Sequence, residues 1–231
     1  MTRDQLLFRL YTGVILLIAL GAICAPLITS YDPYESQIQM SLLPPSAEHY
    51  FGTDKLGRDL FTRVIYGARV SLTMTLFVVL LIAGLGTLIG VISAYVGGKV
   101  DTVIMRLADV FLAFPGIVLA IAIAGVLGGS AINAVIALVV VGWTKYARLA
   151  RSLTLKVKQQ DYLSAAITNG TRPADMIRRH ILPNITPIII VTAALDIGAI
   201  MMELAGLSFL GFGAQPPTPE WGLMLNEGRQ L

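Results

Sequence analysis

Five long apolar runs limit the folds that this chain can adopt. The runs lie near 10–29, 71–96, 103–128, 131–150 and 185–211. An α-helix needs about 20 apolar residues to cross a hydrocarbon layer of about 30 Å. Hydrophobic residues make up 55% of the 231 residues and charged residues 13%, so the apolar surface exceeds what a soluble core of this size could bury. The sequence therefore predicts five membrane-spanning helices.

Basic residues are concentrated in the polar segment that follows the fourth run. Residues 145–180 hold Lys145, Arg148, Arg151, Lys156, Lys158, Arg172, Arg178 and Arg179, against Asp161 and Asp175. Loops rich in Lys and Arg remain on the cytoplasmic side of a membrane. This loop is therefore predicted to be cytoplasmic. Alternation of the spans then places residues 30–70 outside and the amino terminus inside.

The basic loop is predicted to contain two short helices joined at Gly170. A helix over about 156–169 would end at this glycine, which readily adopts the left-handed conformation of a helix end. Thr171 could cap the second helix, and Pro173 is tolerated in its first turn. The second helix is then expected to stop at Leu182–Pro183.

Two small side chains on the first of these helices, Ala165 and Ala166, would let it approach a partner surface closely. Alanine is also the strongest helix former, so the pair alone fits an ordinary helix equally well.

Residues 51–72 are predicted to form an amphipathic helix at the membrane interface. Apolar and charged residues alternate there at helical spacing. The apolar set is Leu60, Phe61, Val64, Ile65 and Ala68, and the charged set is Arg58, Asp59, Arg63 and Arg69. Such a helix could contact an external protein or brace the entry to the second span.

Glycines in the second run fit close contacts between helices in lipid. They are Gly84, Gly86 and Gly90. Small residues let two helix backbones approach each other. The alternative is the ordinary tolerance of membrane helices for glycine.

Four charged residues fall within predicted spans, where burial costs about 3 kcal/mol or more without a partner or water. Arg106 and Asp109 are three residues apart and are predicted to pair on one helix face. Asp196 and Glu203 are seven apart and lie on one face of the last visible span. These two carboxylates could line a translocation pathway or pair with a partner subunit.

The sequence contains no motif for catalysis. It has no GxxxxGK[ST] phosphate loop and no HExxH zinc site. Its single cysteine, Cys24, excludes an internal disulfide, and its two histidines are His49 and His180. We therefore expect no catalytic residue, no metal site, no resident cofactor and no nucleic-acid partner.

Three segments resemble one family of membrane proteins. Ser164-Ala165-Ala166 with Gly170 and Leu182–Pro183 is similar to the "EAA" loop of binding-protein-dependent ABC importer permeases. FGTDKLGRDLFTRVIYGARVSL at 51–72 and LSFLGFGAQPPTPEWGLML at 207–225 resemble the C-type permease of dipeptide, oligopeptide and nickel importers. The chain departs from the family pattern at Ser164, where glutamate is common, and at His180, where an apolar residue is common.

This resemblance implies an all-α fold, a polytopic transmembrane helical bundle of the type I ABC importer permease kind. Five spans are visible, and the sixth that the family has after its tryptophan-glycine segment is expected to be missing. Residues 1–70 would form an amino-terminal span, an external loop and the amphipathic helix. Residues 71–231 would form the permease domain, with a cytoplasmic coupling loop at 152–183.

The resemblance also implies a function and a set of partners. The chain would pair with a homologous second permease as a heterodimer in the bacterial or archaeal plasma (inner) membrane, embedded in lipid. Two cytoplasmic ABC ATPases would bind the ATP, and an extracytoplasmic substrate-binding protein would deliver peptides or nickel chelates. The implied ATPase-coupling residues are Ser164, Ala165, Ala166, Gly170, His180, Leu182 and Pro183.

Two other classes of protein fit some of these features. An ion-coupled secondary carrier would use intramembrane acids such as Asp196 and Glu203, but it does not need a docking loop hinged at a glycine. A membrane enzyme or scaffold lacks support from any catalytic motif. Stable copurification of ATPase subunits would separate these alternatives.

Overall fold

The computed structural model describes the backbone of residues 3–229 and the side chains of residues 5–229, except those of Ser164 and Ile167. Helices form most of the described chain. They are α1 (Arg3–Ile23), α2 (Ala25–Ile28), α3 (Leu60–Val96), α4 (Gly98–Leu112), α5 (Gly116–Leu127), α6 (Ala131–Lys158), α7 (Asp161–Thr168), α8 (Pro173–Asp175), α9 (Leu182–Phe209) and α10 (Trp221–Gly228). A short 3-10 turn covers Ile38–Met40, and a π-helical turn, Met176–Ile181, joins α8 to α9.

Four described helices are long and apolar enough to cross a membrane. They are Gln5–Ile23, Leu60–Val96, Ala131–Lys158 and Pro173–Phe209. A fifth span is possible if α4 and α5, which are bent by 90° at their junction, count as one. Four of the five predicted spans are therefore confirmed as helices.

The run at 103–128, predicted as one spanning helix, is divided between two helices. The helix ends at Leu112 and restarts at Gly116, with Pro115 between them in an extended conformation (φ −58°, ψ 123°). Proline has no N–H to donate to the helix, and it disfavours a helical conformation in the residue before it. The apolar composition of this run predicted its lipid contact but did not reveal the break.

The chain folds into two compact units. Unit 1 comprises the chain up to Met74, residues 129–131 and the chain from Leu204 onward, and unit 2 comprises residues 75–128 and 132–203.

In unit 1, the segment before α3 is a loop stabilised by two glycines and an acidic cap. Gly52 and Gly57 have φ of 75° and 74°, which an L side chain rarely adopts. A Cβ at Gly57 would also lie less than 3.0 Å from the carbonyl of Gln37. Asp59 then caps α3, because its Oδ2 accepts a hydrogen bond of 2.7 Å from the Thr62 N–H.

The amphipathic helix predicted at the membrane interface is instead the first part of α3, which continues without a break to Val96. Three of the four charged residues of the segment do not face solvent, whereas Arg69 is exposed. Arg58 is 3% exposed, Asp59 5% and Arg63 1%. The helical periodicity was predicted correctly, but Arg58 and Arg63 are buried because two carboxylates of unit 1 compensate them.

Those carboxylates belong to Asp54 and Glu227. Asp54 Oδ2 accepts a hydrogen bond of 2.7 Å from Arg58 Nε and another from Arg63 Nη1. Burial opposes ionisation of Asp54, but hydrogen bonds from the Arg58 backbone and side chain and from Arg63 hold its pKa below the ordinary value. Glu227 of α10 lies 3.3 Å from Arg58 Nη2.

Helix α10 packs against the first turns of α3. The indole N–H of Trp221 donates to the Val64 carbonyl at 3.0 Å. The Glu220 carboxylate caps α10 by accepting from the Gly222 and Leu223 N–H groups. The segments 51–72 and 207–225, which resemble one family in sequence, therefore fold together.

In unit 2, α3 and α6 cross in close contact at two glycines. A Cβ at Gly86 would lie less than 3.0 Å from the carbonyl of Trp143, and one at Gly90 would lie equally close to the carbonyl of Ala147. Gly84 has nothing within 4 Å of its Cβ position. The predicted small-residue contact is therefore confirmed for Gly86 and Gly90, whereas Gly84 makes no such contact among the described residues.

Candidate functional site

The first candidate site is the polar loop between α6 and α9. Its first helix, α7, begins at Asp161 and not near residue 156 as predicted, because α6 continues to Lys158. The Lys158 ammonium donates to the carbonyls of Ala94 and Tyr95 at 3.0 and 3.2 Å. A basic side chain near the carboxyl end of a helix satisfies carbonyls that have no partner within that helix. The contact joins the last residue of α6 to the carboxyl end of α3.

Helix α7 ends at Gly170 in the predicted way. Gly170 has φ of 76°. The N–H of Thr171 bonds to the Ala166 carbonyl at 3.1 Å, and the N–H of Asn169 bonds to that of Ala165 at 3.0 Å. A left-handed residue followed by a hydrogen bond to the carbonyl five residues earlier is the Schellman helix end. The position therefore requires a residue that tolerates positive φ.

The second helix of the loop differs from the prediction at both ends. Arg172, not Thr171, is its N-cap residue, and no side-chain hydrogen bond caps it. Pro173 lies in the first turn as predicted. The helix does not stop at Leu182–Pro183 but continues to Phe209.

A wide turn explains how the helix continues through Pro183. The π-helical turn Met176–Ile181 lies immediately before Leu182. Because proline lacks an N–H and its ring crowds the carbonyl four residues earlier, a locally wider helix accommodates it. The carbonyl of His180 accepts a hydrogen bond from the Asn184 side-chain amide at 2.6 Å.

Buried apolar side chains hold the loop in place while its surface remains open. Leu163 is 1% exposed, and Met176 and Ile181 are fully buried. The rings of Tyr162 and His180 lie 6.4 Å apart. The two short helices are therefore packed within unit 2.

The outward side of the loop includes small and basic residues. Ala165 and Gly170 are exposed, and Ala166 is half-buried. The side chain of Ser164 lies outside the described residues. Arg172, Arg178 and Arg179 are exposed as well.

The second candidate site is a cavity in unit 2 between α3, α4, α5, α6 and α9. Its volume is about 230 Å³, and its walls are mainly apolar. Five polar side chains also line it: Thr144, Lys145, Tyr146, Asp196 and Glu203.

Asp196 has partners within the chain. The Lys145 ammonium lies 2.7 Å from both carboxylate oxygens of Asp196, and the Tyr146 hydroxyl donates to Oδ2 at 2.9 Å. The sequence left Asp196 either lining a pathway or pairing with another subunit, and it did not identify Lys145 and Tyr146 as part of the site. Lys145 was counted with the basic loop, although it lies within a helix that continues for thirteen more residues to Lys158.

Glu203 differs from Asp196. Among the described side chains, none forms a hydrogen bond or ion pair with it, although Asp196 and Lys145 act on it through their charges. It lines the same cavity.

The predicted pair of Arg106 and Asp109 is wrong. Asp109 instead forms an ion pair with Arg148 of α6. Asp101 of α4 accepts from Arg151 Nε at 2.6 Å. Both acids of α4 thus pair across to α6, because the basic side chains of α6 lie opposite them.

Comparison with known proteins decides the family. The model of the family described as binding-protein-dependent transport system inner membrane component matches residues 86–229. The match includes the polar loop and the cavity residues of α6 and α9. The chain belongs to this family. It is thus a multi-pass inner-membrane permease of a binding-protein-dependent transport system, as the resemblance implied.

Curated relatives support the assignment. The permease is 46% identical over 210 residues to the dipeptide transport system permease protein of Alkalihalophilus pseudofirmus, which covers 91% of this chain and 69% of that protein. It is 40% identical over 222 residues to the nickel transport system permease protein of Escherichia coli (strain K12), covering 96% and 80%. It is 46% identical over 218 residues to the glutathione transport system permease protein of Escherichia coli O6:K15:H31, covering 94% and 71%.

Proposed function

We propose that this permease forms half of the pathway of an ATP-driven importer, together with a homologous second permease. Two cytoplasmic ATPases bind and hydrolyse the ATP, and an extracytoplasmic binding protein delivers the cargo. The permease itself performs no catalytic step and holds no cofactor. The amino terminus and the loop at 159–183 face the cytoplasm, in agreement with the excess of Lys and Arg there.

The observation that carries this proposal is the construction of the polar loop. Helix α7 offers the small side chain of Ala165 outward, and Leu163 anchors it from below. After Gly170, a single helix runs from Pro173 to Phe209. A force applied by an ATPase at α7 therefore acts on the base of the helix that carries Asp196.

The residues that couple the ATPase to the permease have different roles. Ala165 and Ala166 allow close approach of a partner surface, and Gly170 sets the angle between α7 and the next helix. Leu182 and Pro183 lie where the π-helical turn meets α9. The ring contact of His180 with Tyr162 links that turn to α7, and the His180 carbonyl, which accepts from the Asn184 side-chain amide, links it to α9. Ser164 belongs to the same segment by its place in the sequence.

The cargo belongs to the class that the relatives suggest, namely a short peptide or a metal chelate. The relatives are named for dipeptide, nickel and glutathione transport. Their identities to this chain are close to one another, so similarity alone does not choose among these cargoes.

The test is reconstitution of the permease with its partner permease, the two ATPases and the binding protein in proteoliposomes. The ATPases should copurify with the permease, and cargo should accumulate only when ATP is supplied on the ATPase side. Uptake driven by an ion gradient, with no ATPase attached, would show an ion-coupled carrier instead. Absence of both uptake and ATPase attachment would favour a scaffold.

A further inference from the structure

The cavity of unit 2 has an unequal distribution of charge. Asp196 is compensated twice, by the ammonium of Lys145 and by the hydroxyl of Tyr146. Glu203 has no such partner among the described side chains. If both acids and Lys145 are charged, the cavity carries one negative charge in excess. A charge in an apolar site within a membrane requires a counterion, a partner or water.

The positions of the two acids decide what kind of cation fits. Asp196 and Glu203 are seven residues apart on α9, which corresponds to about 10.5 Å along the helix axis. A metal ion holds its carboxylate oxygens at about 2.0–2.6 Å. One ion would therefore not bind both carboxylates unless the side chains or the helix moved by a large distance. The described side chains also include no group of three or more His, Cys, Asp or Glu that could hold a metal ion.

Lys145 already pairs with Asp196 and so determines the net charge that remains in the cavity. Its side chain is 56% exposed and that of Asp196 only 18%, so the lysine covers the carboxylate from the open side. Tyr146, which is 2% exposed, also donates its hydroxyl to Asp196. One carboxylate, that of Glu203, is left to accept a single positive charge, and Lys145 repels a second.

We propose that this cavity binds one primary ammonium group of the cargo, with Glu203 as the acceptor carboxylate and the Lys145–Asp196 pair limiting the site to one positive charge. The inference rests on the proposed function, because it treats the cavity as part of the transport pathway. It narrows the cargo to molecules with a free amino group and disfavours a bare divalent metal ion.

The test uses the assembled importer and measures the electrostatic potential at the cavity. In a Cys24→Ser background, Ala199→Cys places a thiol in the cavity wall. Its reaction rates with a trimethylammonium and with a sulfonate methanethiosulfonate are divided by the rates with free 2-mercaptoethanol. The corrected ratio should favour the cationic reagent by about tenfold or more, because a nearby unpaired carboxylate attracts cations and repels anions.

Two variants should move this ratio in opposite directions. Glu203→Gln should reduce the preference to near one. Lys145→Met should increase it, because the site then loses a positive charge, and this result does not depend on whether the glutamine variant folds. Glu48→Gln, an exposed acid of unit 1, is the matched control and should leave the ratio unchanged.

Protection by small probes identifies the ligand chemistry. Alanine amide, which has a free ammonium group, should slow labelling of the cysteine about tenfold at saturation, and N-acetylalanine amide should not. Protection by nickel chloride alone would show a metal site and would overturn the proposal. A thiol that neither reagent reaches, or one without a charge preference, would also overturn it.

The outcome can be separated from failure of the proposed function. ATPase copurification and ATP-driven uptake are measured on the same preparation. If both are present and the charge preference is absent, only the ammonium site is wrong. If no ATPase copurifies, the importer assignment itself fails.

Discussion

Arg63 and Glu227 form an ion pair, with Nη2 of the arginine 3.0 Å from Oε2 of the glutamate. The contact joins the first turn of α3 to α10 within unit 1. Arg63 is 1% exposed, and it also donates to Asp54, so that two arginines share two carboxylates. Breaking one member of such a buried set leaves an uncompensated charge, which costs more than the pair contributes while intact.

Asp54 should make the stability of unit 1 dependent on acid pH. Its pKa is lowered in the folded protein, because burial, which raises it, is outweighed by hydrogen bonds from Arg58 and Arg63. A depressed carboxylate pKa stabilises the fold above the unfolded pKa of about 3.9, and the contribution is lost as pH falls through the folded value. The difference in unfolding midpoint between the native protein and Asp54→Asn should therefore be constant from pH 7 to about 5 and shrink below about 4.

Thermal unfolding of the purified protein in detergent, followed between pH 3 and 7, measures this difference. Glu35→Gln serves as the control, because Glu35 is exposed and bonds only to nearby Gln37 among the described contacts. A difference that grows as the pH falls would contradict the assigned direction of the Asp54 pKa.

Substitution of Gly86 or Gly90, where α3 meets α6, should lower the stability of the protein far more than substitution of Gly84. Gly90→Ala would place a methyl group less than 3.0 Å from the Ala147 carbonyl and force the helices apart, whereas Gly84→Ala has open space. Overpacking of this kind typically costs about 1–3 kcal/mol. We expect a clear drop in the unfolding midpoint for Gly90→Ala and none for Gly84→Ala. Equal effects would mean that the two helices do not cross there.

Substitution of Gly170 should affect the coupling of ATP hydrolysis to transport more than the stability of the fold. A β-branched residue disfavours the φ of 76° found there by about 1–2 kcal/mol. Gly170→Val should therefore lower the cargo moved per ATP hydrolysed by roughly 5- to 30-fold while ATPase activity persists. Gly170→Asn should retain more coupling, because asparagine tolerates positive φ.

The control for this experiment is Asn169→Val, one residue earlier and outside the positive-φ region. Simultaneous assays of uptake and phosphate release in proteoliposomes give the ratio. If Gly170→Val transports normally, the conformation of this glycine is not needed for coupling.

Lys145 and Asp196 should behave as an energetically coupled pair. Lys145→Met leaves the Asp196 carboxylate with only the Tyr146 hydroxyl, and Asp196→Asn leaves the ammonium without its carboxylate. The double variant removes both charges, so its loss of stability should be smaller than the sum of the single losses. A double-mutant cycle on the unfolding free energy should give a coupling of about 0.5–3 kcal/mol. A coupling near zero would show that the pair does not persist in the protein.

The sequence predicted the elements that depend on local pattern. Apolar length located the spans, and Gly170 marked a helix end, because both follow from a few consecutive residues. The bend at Pro115 could have been predicted from the missing N–H of proline. The continuation of the helix through Pro183 could not, since it depends on the π-helical turn before it.

Contacts between segments that are distant in the sequence could not be predicted from the sequence pattern. The pattern places Arg58 and Arg63 on the charged side of an interfacial helix, because their carboxylate Glu227 lies in another part of the chain. Asp109 was assigned to the nearest basic residue, and its real partner, Arg148, lies on α6. Lys145 was missed as a cavity residue for the same reason.

The central claim is that the loop at 159–183 docks an ATPase, and site-directed cross-linking tests it most directly. In a Cys24→Ser background, Ala165→Cys places one thiol on the exposed side of α7, and Ser36→Cys places one on an exposed part of unit 1 as the control. A short bifunctional thiol reagent applied to the purified complex should link Ala165→Cys, but not Ser36→Cys, to an ATPase subunit. A complex that hydrolyses ATP but shows no ATPase cross-link from α7 would contradict the account.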